Sequence, residues 1–400
     1  MLTETVMPEP KIKVEVVRRR LFESTHDIYR STVATFIARE VVPHFEKWET
    51  AGLVDRSLFD RAGQLGLLGM AIPQSFGGGG TTDFRFNAVV AEEFCAAGVL
   101  SAGLGIINDI DVCIPYFVDL ATDEQRRRWM PGLCSGELIA AMAMTEPAAG
   151  SDLAGIRTRA VREGDCFVLN GAKHFISSAI NCDIVIVVCR TGQSDNAHRN
   201  LTLLVVESTM PGFQRGKNLS KIGQHAADTG ELFFTDVRVP VKNVLGEVGN
   251  GFYHIVSRLG QERLSIAVTA VAHAETAFAW TLAYCKERHA FGQPIGSLQH
   301  NRFALASMRT ELDIARTYVD SQIRAHVAGE LNAEEAAQAK WWCTDLNKRV
   351  LDTCLQLHGG YGYMEEYPIA RAWRDGRAMS IYGGTNEIMK EIIGRRALGI

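Results

Sequence analysis

One carboxylate in this sequence has the setting that proton transfer requires. Glu262 follows Ile255 by seven residues and precedes Ile266 by four, so the three side chains share one face of a predicted helix. Leu259 lies on the same apolar stripe. Removal from water on such a face raises the pKa of a carboxyl group towards the range that a general base needs. Because Arg258 precedes Glu262 by four residues, a surface ion pair is the structural alternative.

Two pairs of glycines near the C-terminus allow the main chain to approach a ligand closely. The pairs are Gly359-Gly360 and Gly383-Gly384. Thr385 follows the second pair and is a good N-cap residue for the last predicted helix. Backbone N–H groups at the start of a helix favour an anion or a polarised carbonyl oxygen. The Gly383-Gly384 turn is therefore a candidate substrate-binding element.

Two further motifs have the composition of cofactor-binding loops. The stretch 144–152, Met-Thr-Glu-Pro-Ala-Ala-Gly-Ser-Asp, places small residues and two hydroxyl groups before the predicted sheet, which suits a loop along a flat ring and a pyrophosphate. A plain loop with an N-capping serine is the alternative. Arg288 and Phe291 belong to the stretch Arg-His-Ala-Phe-Gly, and an arginine fork is well suited to pyrophosphate.

The elements that must position these residues begin with a helical region, residues 22–135. In the stretch 28–42, apolar residues recur near the helical period until Pro43 ends the run. The glycines at 77–80 form a loop that is not GxGxxG and follows no clear strand. We therefore interpret this loop as a turn beside the ligand pocket and not as a dinucleotide fingerprint.

The middle of the chain has the pattern of strands. The stretch 167–175 is predicted to be a hairpin with Asn170-Gly171 at its turn. Further apolar or β-branched runs cover 184–189, 201–206 and 232–234, and polar loops separate them. These runs predict a mostly antiparallel β domain.

Helical periodicity returns after Asn250 and continues to the C-terminus. Long amphipathic segments cover 252–288, 298–327 and 333–357, and a capped helix ends the chain. The predicted fold class is therefore α+β. It comprises an N-terminal all-α domain at residues 1–137, a middle antiparallel β domain at 138–245 and a C-terminal four-helix bundle at 246–400.

Composition limits the partners and the location of the protein. A net charge of −4 gives no argument for nucleic acid or an anionic membrane, and the run at 18–20, three arginines, is interpreted as a solvated face. Nine scattered cysteines without a CxxC pair indicate reduced thiols, and the histidines lack metal-ligand spacing. The segment 1–13 has no apolar core, and no apolar run approaches the roughly 18 residues that span a bilayer. We expect a cytoplasmic protein without a bound metal.

The C-terminal stretch 356–395 resembles the C-terminal signature of the acyl-CoA dehydrogenase family. It contains Gln-x-x-Gly-Gly-x-Gly-Tyr from Gln356 and Tyr-x-Gly-Thr from Tyr382. The motif at 144–152 matches the family's other signature, and the resemblance covers essentially the full length. It implies FAD as the cofactor, an acyl-CoA thioester as the substrate and an electron-transfer flavoprotein as the electron acceptor. It also implies a homotetramer arranged as a dimer of dimers.

The resemblance assigns residues to the cofactor and the substrate. In relatives the aromatic at the Phe175 position covers the flavin ring and the hydroxyl at the Ser177 position bonds flavin N5, which stabilises the charge that arrives with hydride. Side chains at the positions of Arg288 and Gln299 reach the FAD of a neighbouring subunit. The implied cofactor-binding residues are Met142, Met144, Thr145, Gly150, Ser151, Phe175, Ile176, Ser177, Arg288, Phe291, Gln299, Gln356, Gly359, Gly360, Thr385 and Glu387. The implied substrate-binding residues are Ser151, Tyr253, Arg263, Gly383 and Gly384.

The catalytic base departs from the commonest pattern of the family. Many relatives carry a Glu directly after the tyrosine of Tyr-x-Gly-Thr, where this chain has Gly383. The long-chain and isovaleryl-type branches have a small residue there and carry the Glu in a Glu-Arg pair, which Glu262-Arg263 matches. By resemblance, Glu262 takes the α-proton of a saturated acyl thioester while the β-hydrogen leaves as hydride, and the product is a trans-2-enoyl thioester.

The sequence leaves two other functions open. The chain could be a non-catalytic subunit that binds acyl thioesters, or a flavin acyl-CoA oxidase that uses oxygen. The length and branching of the acyl chain also stay open. The same is true of the carrier, because CoA and acyl carrier protein present the same pantetheine thioester.

Overall fold

The computed structural model describes residues 19–192, 196 and 199–400, so the segment 1–13 lies outside the described part. Helices, strands and again helices follow one another along the chain, which confirms the predicted α+β fold class. The N-terminal helices are α1 Ser24–Phe36, α2 Phe45–Ala51, α3 Ser57–Gln64, α4 Phe84–Ala96, α5 Leu100–Asn108, α6 Ile114–Leu120 and α7 Asp123–Ser135.

Side chains satisfy free backbone groups at the start of some of the N-terminal helices, among them α4 and α7. Asp83 caps α4 by accepting a hydrogen bond from the Arg85 N–H, and Thr122 forms a capping box with Gln125 at the start of α7. A π-helical turn, Asp109–Cys113, joins α5 to α6. The two helices therefore run as one segment with a local change of phase between them.

The middle region forms an eight-stranded sheet. Its strands are β1 Ala140–Ala143, β2 Arg159–Glu163, β3 Cys166–Ser177, β4 Ile184–Arg190, β5 Leu201–Glu207, β6 Phe213–Asn218, β7 Thr229–Pro240 and β8 Val244–Leu245. Their order is β6-β7-β3-β2-β4-β5-β8, and β1 pairs with β4 outside this path. β4 runs parallel to β1 and β2, and the other pairs are antiparallel, as predicted.

The predicted hairpin at 167–175 is wrong, because this stretch belongs to the single strand β3. Gly171 lies at φ 152° in the middle of β3, where the pairing with β7 shifts register. Asn170 exchanges two hydrogen bonds with Asp236 of β7, so the Asn-Gly pair forms a bulge. The turn lies earlier, where Gly164 at φ 61° connects β2 to β3.

The C-terminal region consists of long helices close to the predicted segments. They are α8 Gly251–Glu287, α9 Gln299–Val327, α10 Ala333–His358, α11 Pro368–Gly376 and α12 Asn386–Leu398, and the short strands β9 His289–Ala290 and β10 Gln293–Pro294 join α8 to α9. Thr385 caps α12 by accepting a hydrogen bond from the Ile388 N–H. α8 packs against α4, α9 and α10, so its apolar residues form a core shared by both helical regions.

Buried ion pairs connect α4, α8 and α9. Arg316 of α9 is 2% exposed and donates to Glu92 of α4 at 2.9 Å and to Glu275 of α8 at 2.5 Å. Arg19 binds the same Glu92 carboxylate at 2.8 Å. Burial raises the pKa of Glu92, but the surrounding guanidinium groups outweigh this effect and lower it to about 2. The interpretation of the run 18–20 as a solvated face is therefore wrong for Arg19, and Arg18 lies outside the described residues.

Among the described residues, two helical segments are long and apolar enough to cross a membrane, judged by length and composition alone. They are Leu100–Leu120 and Gly251–Glu287, and their most apolar windows are 72% and 67% buried inside the protein. The expectation that no apolar run approaches this length is therefore wrong. The burial identifies both segments as core helices of the fold.

Replacing Arg316 tests the ion-pair network. The Arg316→Met variant leaves the buried Glu92 carboxylate and the partly buried Glu275 carboxylate without this partner, and we expect the free energy of unfolding to fall by about 3–5 kcal/mol. Arg349→Met is the matched control, because Arg349 is 45% exposed and pairs with Glu311 on the surface. Its effect should stay below about 1 kcal/mol. Chemical denaturation measures both variants, and equal midpoints would contradict a structural role for the network.

Candidate active site

Glu262 lies in the interior, on the face of α8 that its spacing predicted. The residue is 6% exposed, and Ile266 follows it one turn later. Burial raises the pKa of the Glu262 carboxyl group to about 7, although a hydrogen bond from Tyr116 and the charges of Arg263 and Arg258 oppose this effect. A carboxyl group with a pKa near 7 can accept a proton at neutral pH.

The alternative for Glu262, a surface ion pair with Arg258, is wrong. The Arg258 guanidinium group binds the Asp119 carboxylate instead. Glu262 is bound by Tyr116, which the sequence analysis missed. The Tyr116 hydroxyl donates a hydrogen bond to Glu262 Oε1 over 3.1 Å, and the tyrosine is fully buried on α6. One tyrosine within a largely apolar helix carries no sequence signal that could have identified it.

The Gly383-Gly384 turn lies against the stripe of α8 that carries Glu262. A Cβ atom added at Gly383 would lie 2.3 Å from Cδ1 of Ile266. Both glycines have positive φ angles, 65° and 87°, which other residues rarely adopt. The structure therefore brings the turn to the helical face that presents the carboxylate.

Lys340 on α10 holds this turn, and the sequence analysis missed it. The residue is fully buried, and its ammonium group donates to the Gly384 carbonyl oxygen at 2.7 Å and to Asn386 Oδ1 at 3.1 Å. Burial lowers the pKa of Lys340 to about 8, and the charge of Arg263 acts in the same direction. The two hydrogen bonds fix the backbone conformation between Gly384 and the start of α12.

The loop that follows β1 is anchored to β3 by a buried ion pair. Lys173 has no exposed surface and donates to Glu146 Oε1 at 2.9 Å and to the Met144 carbonyl oxygen at 2.8 Å. Glu146 also accepts hydrogen bonds from the backbone N–H groups of Arg157 and Thr158, at 2.7 and 2.9 Å. This pair ties both ends of the loop to the sheet. The motif at 144–152 contains Glu146, but its pattern indicates no role for Glu146 or for Lys173.

The predicted cofactor residues beside this loop lie together. Met142 is buried on β1, while Met144 and Thr145 follow it and are partly buried. The Thr145 carbonyl oxygen accepts a hydrogen bond from the His174 N–H at 2.9 Å. The loop and the last residues of β3 are therefore adjacent across this bond.

The end of β3 presents an aromatic face next to open backbone. Phe175 is 63% exposed at φ 59°, because a second register shift in β3 turns it outwards. Ile176 is buried, whereas Ser177 is exposed. Gly150 and Ser151 are also exposed, and a Cβ atom at Gly150 would meet no atom within 4 Å. These features leave room for a flat group against the Phe175 ring.

A second group of predicted cofactor residues lies far from Glu262. Arg288 directly follows the 37-residue helix α8, whereas Glu262 lies in its first half, so the two are separated by roughly 40 Å along the helix. The Arg288 guanidinium group lies 5.6 Å from the centre of the Tyr361 ring, and Phe291 is 90% exposed. The exposed residues of this group are Arg288, Phe291, Gln299, Gln356, Gly359 and Gly360. The structure does not bring them to Glu262.

The remaining predicted residues occupy separate positions. Tyr253 is half-exposed near the start of α8, and Glu387 is exposed in the first turn of α12. Arg263 is buried, and its Nε atom has no hydrogen-bond partner within the described residues. Burial lowers the pKa of Arg263, and the Glu262 charge opposes this effect.

The chemistry of the site fits a planar redox cofactor better than a metal. In the described part of the chain, no group of three His, Cys, Asp or Glu side chains is arranged to hold a metal ion. The exposed Phe175 ring, the neighbouring Ser177 hydroxyl and the open backbone at Gly150 fit a flat ring with a polar edge. Together with the buried carboxyl group of Glu262 on α8, which has a raised pKa, these features fit a flavin-dependent oxidoreductase.

Comparison with known proteins agrees with this class. Family models described as the N-terminal, middle and C-terminal domains of acyl-CoA dehydrogenase match residues 23–137, 141–237 and 249–398. The chain is 43% identical over 389 residues to the long-chain specific acyl-CoA dehydrogenase, mitochondrial, of Sus scrofa, with 97% of this chain and 90% of that protein covered. The crystal structure of acyl-CoA dehydrogenase from Geobacillus kaustophilus matches with a TM-score of 0.92 and 45% identity, over 94% of this chain and 99% of that one.

The chain belongs to the acyl-CoA dehydrogenase family, whose members are FAD-dependent oxidoreductases. A further similar structure, of a glutaryl-CoA dehydrogenase from Mycobacterium smegmatis in complex with FADH2, matches with a TM-score of 0.86 and 26% identity, over 95% of this chain and 96% of that one. The predicted family, enzyme class and cofactor are therefore confirmed.

Replacing Lys173 tests the anchor of the loop that follows β1. The Lys173→Met variant leaves the buried Glu146 carboxylate without its cation, and we expect a loss of about 3–5 kcal/mol of stability together with weaker retention of FAD. The double variant Lys173→Met/Glu146→Gln removes both charges and should recover part of the stability.

The flavin absorbance per polypeptide and the thermal midpoint measure these effects. Lys217→Met is the matched control, because Lys217 is exposed on β6 of the same sheet. A Lys173→Met protein that retains FAD and unfolds like the control would contradict the anchoring role.

Proposed function

We propose that this protein oxidises a saturated fatty acyl-CoA thioester to the trans-2-enoyl-CoA, with Glu262 as the catalytic base. The observation that carries the proposal is the position of the Glu262 carboxylate, which is buried on α8 beside the Gly383-Gly384 turn and has a pKa of about 7. The similarity to a mitochondrial long-chain specific relative supports fatty acyl chains as the substrate class.

Removal of the α-proton requires stabilisation of the thioester oxygen, because thioester α-hydrogens are weakly acidic. In the proposal, backbone N–H groups of the Gly383-Gly384 turn donate to this oxygen as negative charge develops on it. Lys340 keeps the turn in the required conformation through its bond to the Gly384 carbonyl oxygen. Glu262 accepts the α-proton, and the exclusion of water strengthens both interactions.

FAD, when bound, supplies the acceptor for the hydride that leaves the β-carbon. The residues that would hold its ring are those of the β1 loop and of the end of β3. These are Met142, Met144, Thr145, Gly150, Ser151, Phe175, Ile176 and Ser177. Thr385 and Glu387, at the start of α12, complete the contacts from the same chain.

The distant cofactor residues support an oligomer in this proposal. The group around Arg288 lies roughly 40 Å along α8 from Glu262, too far to share a flavin ring with it. We therefore propose that this group contacts the FAD of a neighbouring copy in a homotetramer arranged as a dimer of dimers. An electron-transfer flavoprotein then takes the electrons, and the reaction takes place in the cytoplasm.

Substrate contacts in the proposal come from both ends of the thioester. Ser151 and Arg263 lie on the side of the carrier, Tyr253 lines the acyl tunnel, and the Gly383-Gly384 turn binds the carbonyl group. The half-exposed position of Tyr253 near the start of α8 supports a place at a tunnel wall.

The Glu262→Gln variant should lose flavin reduction, because an amide cannot accept the α-proton. We expect the rate constant for reduction by saturating acyl-CoA to fall by about 100- to 10,000-fold, with FAD still bound. Anaerobic stopped-flow absorbance measures this rate for a series of acyl chain lengths. Glu391→Gln is the control, because Glu391 is exposed on α12.

The same experiment separates the proposal from its rivals. A parent protein whose flavin no acyl-CoA reduces would be a non-catalytic thioester-binding subunit. Rapid reoxidation by oxygen with release of peroxide would identify an oxidase. Full activity of Glu262→Gln would remove the base assignment.

The pH dependence of the reaction should report the titration of Glu262. Only the carboxylate accepts a proton, and burial raises the pKa of Glu262 to about 7. The second-order rate constant for flavin reduction at low substrate concentration should therefore fall as the pH decreases through about 7. A rate that stays constant from pH 8 down to about pH 5 would contradict a base with a raised pKa.

Moving the carboxylate tests whether the two possible base positions face the same carbon. The double variant Glu262→Gly/Gly383→Glu should recover only a small part of the rate, because φ at position 383 is 65° and the new Cβ meets Ile266. Adding Ile266→Ala removes this contact and should increase the rate further. If neither variant reduces the flavin faster than Glu262→Gly alone, carboxylates at positions 262 and 383 do not reach the same substrate carbon.

A further inference from the structure

The hydrogen bond between Tyr116 and Glu262 leaves the two carboxylate oxygens in different situations. Oε1 accepts the Tyr116 hydroxyl at 3.1 Å. Within the described part of the chain, Glu262 Oε2 accepts no hydrogen bond. This oxygen retains some solvent-accessible surface. One oxygen is therefore held by the protein, and the other is free to meet a substrate.

The tyrosine that holds Oε1 is itself rigid. Tyr116 has no exposed surface and packs in the same hydrophobic cluster as Ile255, which lies two turns before Glu262 on α8. Its helix follows the π-helical turn Asp109–Cys113, which packs directly against α8. The hydroxyl therefore reaches Glu262 from a fixed ring on a second packed element.

The other charged and titratable groups near Glu262 offer no equivalent contact. Arg258 binds Asp119, Asp111 accepts from Ser265 and Asn87, and Lys340 binds the Gly384 carbonyl oxygen. The groups that face this part of α8 from its own and its neighbouring elements are Arg258, Arg263, Asp111, Cys113, Tyr116, Asp119, His326 and Lys340. Among the described residues, Tyr116 is the one that hydrogen bonds to the Glu262 carboxylate.

We propose that Tyr116 is a positioning residue for the base: its hydroxyl fixes Oε1, so that Oε2 is the oxygen that receives the α-proton. This inference rests on the proposed role of Glu262. The hydroxyl also stabilises the ionised form, because a donor to a carboxylate favours its charged state. The Tyr116 hydrogen bond thus reduces the rise in the Glu262 pKa that burial causes.

The Tyr116→Phe variant removes this hydrogen bond with little change in shape. Loss of the donor favours the protonated form of Glu262, so the carboxyl group should titrate about one pH unit higher, equivalent to about 1.4 kcal/mol. Infrared difference spectra recorded without substrate measure the carboxylic acid band of Glu262 against pH, and Glu262→Gln identifies that band. This readout does not require turnover.

The kinetic consequence has a definite sign. In Tyr116→Phe, the pH at which the rate constant for flavin reduction falls on the acid side should be about one unit higher. The rate constant should therefore be about tenfold lower at pH 6 and should recover at high pH. A merely structural role would lower the rate by the same factor at every pH. Tyr318→Phe is the matched control, because the Tyr318 hydroxyl binds Gln338 between α9 and α10 and does not contact Glu262.

A second variant covers the possibility that Tyr116→Phe does not fold. A fluorinated tyrosine at position 116 keeps the shape but has a more acidic hydroxyl, so it donates a stronger hydrogen bond. The infrared titration of Glu262 and the acid-side fall of the reduction rate should then both move to lower pH. Opposite shifts in the two variants support the proposal. Unchanged titration in both variants overturns it. If both titrations move but Glu262→Gln still reduces the flavin, Tyr116 controls Glu262 and the proposed base is wrong.

Discussion

The Glu262 carboxylate is largely removed from water, and few protein groups replace the hydration that its ionised form loses. Tyr116 supplies one hydrogen bond at 3.1 Å, and the nearest arginine on the preceding turn, Arg258, is bound to Asp119. A direct ion pair would lower the pKa and weaken the base, whereas no partner at all would keep the group protonated at neutral pH. The pKa of about 7 reflects this intermediate degree of compensation. The packing of the π-helical turn Asp109–Cys113 against α8 maintains it.

Two buried lysines perform related structural tasks on either side of the site. Lys173 fixes the loop after β1 through Glu146 and a backbone carbonyl group, and Lys340 fixes the turn before α12 in a similar way. A buried ammonium group is costly unless its donors are used. Each lysine meets this requirement with one backbone carbonyl oxygen and one side-chain oxygen of the segment that it holds. A charge on a packed strand or helix thus fixes each of these two backbone segments.

The positions and limits of the long helices could be predicted from the sequence, whereas contacts between distant segments could not. The limits of α8, α9 and α10 follow from periodicity, and the start of α12 follows from its cap Thr385, because these signals are local. Asn170-Gly171 has the local signal of a turn, but its bonds to Asp236 on β7 make it a bulge. Tyr116 lies 146 residues from Glu262, so no spacing rule connects the two. Ile28 matches the apolar period of α1 yet is exposed, because only one side of that helix meets the core.

The methyl group that faces Gly383 restricts how proteins of this family can exchange one base position for the other. Ile266 Cδ1 fills the space that a side chain at 383 would enter, and the turn has a backbone angle that suits glycine. In the proposed mechanism, a single Gly-to-Glu change would also place two carboxylates next to one substrate carbon, and their repulsion would raise the pKa of one of them. An evolutionary path between the two arrangements therefore passes through an impaired enzyme unless several positions change together. The location of the base should accordingly persist within a lineage even while the acyl specificity diverges.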